Sequence, residues 1–294
     1  MSGTWTSYPN DPAGYAMGWT RAHWISTIQR FVCFAGDSHG GYGVGNNSLR
    51  ALDPVTKAWS TLYPNNRSTA GVWNRDNHPQ FYVPSRDELW VLQSSVPQYG
   101  GRWDFRLGQW VGVGVTRAEF AAGLIAGFTM RTLENPANGW VPGADTGVIF
   151  GGNIEGNETG LTRLIKPNPA GPEPYRYWEE ILPGPSKRAN IQNQGIGVGE
   201  SFYLYGGSMM AGVTKHRDFW RLHVPTRTWL RLADNPTGKC VGGFCTMDLI
   251  PPRFLIVSAG RNAVLYDIQR DTWRDLDPPW TGTETWRVRG APGA

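Results

Sequence analysis

The apolar positions of this 294-residue chain fall into short runs rather than long stripes. Five runs stand out: RFVCFAG from Arg30, ELWVLQS from Glu88, GVIFGG from Gly147, SFYLYGG from Ser201 and FLIVSAG from Phe254. Each is apolar at consecutive positions, as a strand covered on both faces must be, and each ends in small or polar residues. A second run follows each after a polar interval: NSLRALD, GRWDFRL, LTRLIKP, DFWRLHV and NAVLYDI. These lead into turns such as DPVTK and HVPTR, which carry hairpin chemistry. A tryptophan then closes each unit: Trp59, Trp110, Trp178, Trp229 and Trp273, spaced 51, 68, 51 and 44 residues apart. Six residues before it stands Asp53, Asp104, His223 or Asp267 in four units. The third departs, carrying the longer KPNPAGPEPYRYW.

A repeat of this length is one supersecondary unit, here a small antiparallel sheet. Such a sheet has two faces to cover and is not stable alone, so the units must stack, and radial stacking closes them into a propeller. The pattern therefore predicts an all-β chain, a single β-propeller domain over 1–294, with five recognisable blades at about 31–62, 81–113, 147–182, 196–232 and 245–276. An insertion is expected at about 114–146, where TRAEFAAGLIAGFTMRTL suggests a short helix or an extra hairpin outside the ring. The strand-like GTWTSYP near the start and ETWRVRG near the end remain for ring closure, either completing the last blade or building a thin sixth one.

The apolar strand ending in Gly-Gly and the closing Trp resemble the kelch repeat, over nearly all of residues 31–273. The first unit, GDSHGGYGVGNNSLRALDPVTKAW, is similar to the G-H-x-D-Y-x-G-N form of kelch-like proteins of bacteria and bacteriophages. It differs in that Asp37 precedes His39 and Leu49 stands in an aromatic position; the second unit has Ser94-Ser95 in place of Gly-Gly. The resemblance implies a kelch-like β-propeller.

Composition fits turns and short strands: 38 Gly, 22 Pro and 15 Trp, with 40% apolar residues. The net charge of +4 comes from 28 basic and 24 acidic residues, and 23 of the bases are Arg. No basic run or stripe accompanies it, so nucleic acid is not an expected partner. No apolar stretch approaches the roughly 20 residues of a membrane span, and the first residues lack the charged and apolar regions of a signal peptide. The expectation is synthesis in the cytoplasm. Three cysteines do not make a disulfide framework. Cys33 reads as a small core residue, and Cys240 and Cys245 as reduced thiols.

Two glycine-rich loops hold the candidate chemistry. Asp37, His39, Asn46 and Asn47 lie in the first, and Asn153, Glu155, Asn157 and Glu158 in GGNIEGNETG of the third unit. One Asp and one His do not supply a calcium or transition-metal set. The phosphate-loop signature is absent. These side chains are read as shaping loops or touching a partner, with no catalytic residue, cofactor or metal assigned. His223 replaces the repeat Asp and is expected to be structural. Trp19, Trp24, Trp73, Trp140, Trp280 and Trp286 lie outside the repeat positions; Trp beside Arg is typical of interface anchors.

The expected function is a non-enzymatic structural and binding propeller with protein partners in an assembly, given the resemblance a bacteriophage virion component such as a minor capsid, decoration or tail-associated protein. A carbohydrate-binding host-attachment module, with a surface glycan as partner, is the alternative. A sugar oxidase or lyase on the same scaffold ranks third, because propellers host many functions.

Overall fold

The computed structural model describes residues 22–34, 48–64, 79–92, 101–111, 136–154, 157–168, 170, 177–188, 194–208, 215–241, 245–259 and 262–276. They form five antiparallel sheets arranged in a ring, a five-bladed β-propeller, with one 3₁₀ turn at Pro142–Ala144 and no α-helix among them.

Sheet one runs β1 (Ala22–Ile25), β2 (Arg30–Phe34), β3 (Leu49–Leu52) and β4 (Trp59–Tyr63) in spatial order. Sheet two repeats this with β5 (Gln80–Val83), β6 (Glu88–Val91), β7 (Gly101–Asp104) and β8 (Gln109–Val111). Sheet three begins with β9 (Ala137–Val141) and β10 (Thr146–Phe150), and a short β11 (Asn153–Ile154) pairs with the long β12 (Asn157–Pro167). β13 (Tyr177–Arg188), which contains Pro183 and Pro185, is its outermost strand. Sheets four and five are β14 (Gly195–Val198), β15 (Ser201–Tyr205), β16 (Phe219–His223), β17 (Thr228–Leu232), and β18 (Thr246–Ile250), β19 (Phe254–Ala259), β20 (Asn262–Asp267), β21 (Thr272–Leu276).

The apolar runs are thus the second strands, and a further strand lies inside each. The first strands of successive sheets are neighbours, which places them nearest the ring axis. Two of them correct the repeat boundaries. β1 precedes the expected start at 31, and β9 falls within the expected insertion at 114–146 yet is hydrogen-bonded into sheet three. Their sequences, AHWI and ANGWV, are interrupted by His, Asn and Gly, because the innermost strand needs close backbone approach more than apolar bulk. Gly197 shows why: a Cβ there would lie 1.8 Å from the Trp140 carbonyl oxygen across the seam between sheets three and four. The last sheet is complete from residues 246–276 alone, so neither terminus is needed to finish it. Residues 1–21 and 277–294, the material for a sixth blade, lie outside the described residues.

The core lies between the sheets. Ile25, Val32, Phe34 and Leu49 meet Leu89, Val91 and Trp103 between sheets one and two. Val148, Phe150 and Leu164 meet Phe202, Leu204 and Leu222 between three and four. Tyr205 and Phe219 meet Met247, Leu255 and Tyr266 between four and five. The repeat tryptophans close these seams from the rim by reaching back to the preceding sheet. Trp110 stacks edge-on against Phe34 of sheet one at 5.5 Å, and Trp229 against Phe150 of sheet three at 5.5 Å. Trp273 contacts Phe219 of sheet four at 5.1 Å and donates its indole N–H to the Ala233 carbonyl at 2.7 Å. Trp178 lies on β13, and Trp59 opens β4 half-buried.

Candidate functional site

Up-and-down strand order gives the ring two unlike faces. The β1–β2 and β3–β4 turns, with their counterparts, all lie on one face; the second-to-third strand connections and the passages between sheets lie on the other.

The turn face is tied down by short-range chemistry. The Asp53 carboxylate accepts the backbone N–H groups of Val55 and Thr56 at 2.8 and 3.0 Å. Asp104 does the same for Arg106 and Leu107, and Asp267 for Gln269 and Arg270. An Asp side chain here mimics a backbone turn, which explains its recurrence six residues before the Trp. His223 substitutes with a 2.8 Å contact to the Thr226 hydroxyl. Four residues after each of these positions the backbone turns left-handed, at Lys57, Gly108, Arg227 and Asp271, with φ between 51° and 64°. Arginines neutralise the acids: Arg30 on Asp53, Arg106 on Asp104, Arg253 on Asp267. The Arg30 hydrogen bond, then the Thr56 and Val55 amides, pull the Asp53 carboxyl down to about 2. The Asp267 carboxyl is likewise lowered, chiefly by Arg253. Neighbouring sheets are linked at the same face. Thr27 donates to Asp87 at 2.7 Å, Ser85 to Asp145 at 2.8 Å, and the Gly143 N–H to the Gly199 carbonyl at 2.8 Å.

The opposite face carries most of the long connections, 35–48, 64–79, 92–100, 112–136, 206–218 and 233–245, while 168–176, between β12 and β13, belongs to the turn face. Here fall the candidate contact residues. Asn153 lies in β11, and Asn157 and Glu158 in β12, where Asn153 pairs with Glu158 and Ile154 with Asn157. The segment read as a loop is therefore a hairpin that prolongs sheet three. Glu155 at its tip, and Asp37, His39, Asn46 and Asn47 in the β2–β3 connection, lie outside the described residues. The two candidate segments share one topological position, after the second strand of a sheet, so their flanking strand ends open on the same face.

Between sheets three and four sits a buried polar node that the sequence does not announce. Arg188, fully buried, forks onto Asp218 with its two Nη atoms at 3.0 and 2.7 Å. It also donates to the Gly206 carbonyl at 2.5 Å and from Nε to the Ser186 hydroxyl at 3.0 Å. The Trp220 indole N–H completes the acceptor set of Asp218 at 2.6 Å. Burial pushes the Asp218 carboxyl up, but the hydrogen bonds and charge of Arg188, with Trp220 and His216, outweigh it and hold the group below its ordinary value. Arg188 reaches this place because β13 bulges: Leu161 pairs with Pro183 and Thr159 with Arg188. Thirty residues separate Arg188 from Asp218, so no local pattern could have disclosed the pair. Similar buried pairs, Arg102 with Glu88 and Arg163 with Glu179, both at 2.8 Å, brace sheets two and three.

Among the described residues, no three His, Cys, Asp or Glu side chains stand close enough to hold a metal ion. No described helix is long and apolar enough to cross a membrane. Trp90, Trp103, Trp110, Trp140, Trp229 and Trp273 are engaged with other rings in or beside the seams rather than set out as a platform. No protein-family model matches the chain, and no curated protein matches it either.

Proposed function

We propose that this chain is a non-enzymatic binding propeller that works in protein assembly, using the face of long connections to contact its partner. The observation that carries the reading is the division of labour between the faces. One is fixed by Asp-capped turns and links between sheets; the other holds six of the seven connections of nine or more residues, 168–176 being the exception. Binding residues concentrate on such loops when a rigid scaffold positions them. Carboxylates of the described frame are committed to turns and ion pairs, as at Asp53, Asp104, Asp218 and Asp267.

The finer setting is a kelch-like component of a bacteriophage virion, a minor capsid, decoration or tail-associated protein. Its support is the likeness of residues 36–59 to kelch-like phage and bacterial repeats. Mass spectrometry of purified particles produced by the genome that encodes the chain tests this. A fixed stoichiometry is expected, and absence from the particles overturns the virion setting. Replacing residues 93–100 by a short Gly-Ser link tests the contact face. Incorporation should fall while the melting temperature stays within about 2 °C, because loop length weighs little on stability. Unchanged incorporation for this and for an equivalent 36–46 replacement would overturn the choice of face.

A further inference from the structure

Charge is compensated unevenly around the ring. On the turn face, arginines sit on acids: Arg30 on Asp53, Arg106 on Asp104, Arg227 on Glu180 and Arg253 on Asp267; on the face of long connections Arg231 pairs with Asp234 and Lys239 with Asp275. At the junction of sheets three and four, on the face of long connections, the balance is different. Lys187, Lys215 and Arg217 are exposed, and none meets a carboxylate among the described residues. Lys187 flanks the buried Arg188, and Arg217 flanks Asp218, so the ion pair of those two draws the backbone that carries the exposed cations together from distant parts of the chain. Arg188 and Asp218 cancel as a buried pair, which leaves the exposed Lys187, Lys215 and Arg217 as the uncompensated charge among the described residues.

The backbone that presents them is fixed. Lys215 bridges Ser208, the His216 N–H donates to the Gly207 carbonyl at 2.9 Å, and the Gly206 N–H donates to the Asp218 backbone carbonyl at 3.1 Å. Arg188 locks β13 onto the same connection through Gly206. Cations on a pre-set frame lose little freedom when a ligand arrives. We infer that the Lys187–Lys215–Arg217 surface is a docking site for an acidic segment of a protein partner. This rests on the binding reading above and names the chemistry of the partner. Unpaired exposed cations steer and select an oppositely charged surface. A nucleic-acid strand is the poorer fit: it asks for a basic groove with stacking rings, and the Trp220 ring at this junction is packed against the core between sheets three and four.

The test uses the purified full chain and a fluorescein-labelled peptide of ten glutamates, with binding read by anisotropy. Binding is expected in about 20 mM salt and should weaken at least about tenfold in about 150 mM, where screening shortens to roughly 8 Å. The variant Lys187→Gln/Lys215→Gln/Arg217→Gln should weaken it at least about tenfold, with each exposed side chain changed without touching the buried pair. Lys57→Gln/Arg270→Gln on the turn face should leave it within about twofold. No binding at low salt, or equal loss in both variants, overturns the proposal. A labelled ten-nucleotide single strand that binds more tightly than the peptide, and is lost with the same triple variant, overturns it in favour of a nucleic-acid surface. Because the assay uses the isolated chain, its failure is separable from failure of the virion setting.

Discussion

Arg188→Met should be among the most damaging single changes in the described frame. The substitution keeps a long apolar stem and deletes a guanidinium that makes two bonds to Asp218, one to Gly206 and two to Ser186. Asp218 would keep only the Trp220 indole from its side-chain donors, in a seam where its side chain is 18% exposed. Removing one partner of a buried pair typically destabilises by about 3–5 kcal/mol, because a charge is left uncompensated. For a chain of this size that corresponds to a fall in Tm of roughly 6–20 °C. Asp218→Leu alone should be similarly severe, leaving the guanidinium stranded. Arg188→Met/Asp218→Leu together should recover to within about 1–2 kcal/mol of wild type, since apolar replacement of a whole buried pair is often neutral and the groups that lose a partner, the Trp220 N–H, the Gly206 carbonyl and the Ser186 hydroxyl, are all uncharged. Denaturant titrations followed by Trp fluorescence give all four corners of the cycle. The pH arm has a definite sign. Asp218 titrates below its ordinary value of 3.8 in the folded chain, so its contribution is complete above that value and fades as pH falls through the lowered one. The acid limb of the stability curve should flatten in the double variant. Loss below about 1 kcal/mol in Arg188→Met, or a double variant no better than either single one, would refute the reasoning.

Three further outcomes follow from the geometry. Lys57→Gly and Arg227→Gly should each raise stability by about 0.5–1 kcal/mol by relieving a left-handed non-glycine residue, while Gly108→Ala should lower it by about 1 kcal/mol; denaturant midpoints moving in the same direction for both kinds of change would contradict the shared turn. Gly197→Ala should destabilise by about 3 kcal/mol or more, visible as a large fall in Tm, because its Cβ would overlap the Trp140 carbonyl. Burial pushes the Cys240 thiol up to about 11 and raises Cys245 as well, so native protein at pH 8 should react with a thiol reagent at Cys240 and Cys245 far more slowly than urea-unfolded protein; equal rates would mean these thiols are not held in the seam.

What the sequence disclosed was whatever is local or repeated. The second strands announce themselves because both faces are covered, and Asp53, Asp104 and Asp267 because the same turn needs the same acceptor each time. The innermost strands β1 and β9 were missed because backbone contact near the axis selects small and polar residues, which erases the apolar signal. The left-handed corners at Lys57, Arg227 and Asp271 carry no marker, since the residue types there are ordinary. GGNIEGNETG read as a loop because its glycines outnumber its strand formers, yet two residue pairs suffice to make it a hairpin. Arg188 and Asp218 could not be paired by eye at all, as only the bulge in β13 brings them together.

The placement of most long connections on one face has an evolutionary side. Doubling the length of a flexible connection costs only about 0.6 kcal/mol, and none of the Asp-capped turns or sheet-to-sheet links on the opposite face lies within one. Insertions, deletions and exchanges in 35–48, 64–79 or 92–100 can therefore accumulate while the ring goes on folding from the same instructions. A lineage built on this frame can change whom it recognises faster than it changes its shape, and an engineer can use the same sites to graft a new binding loop.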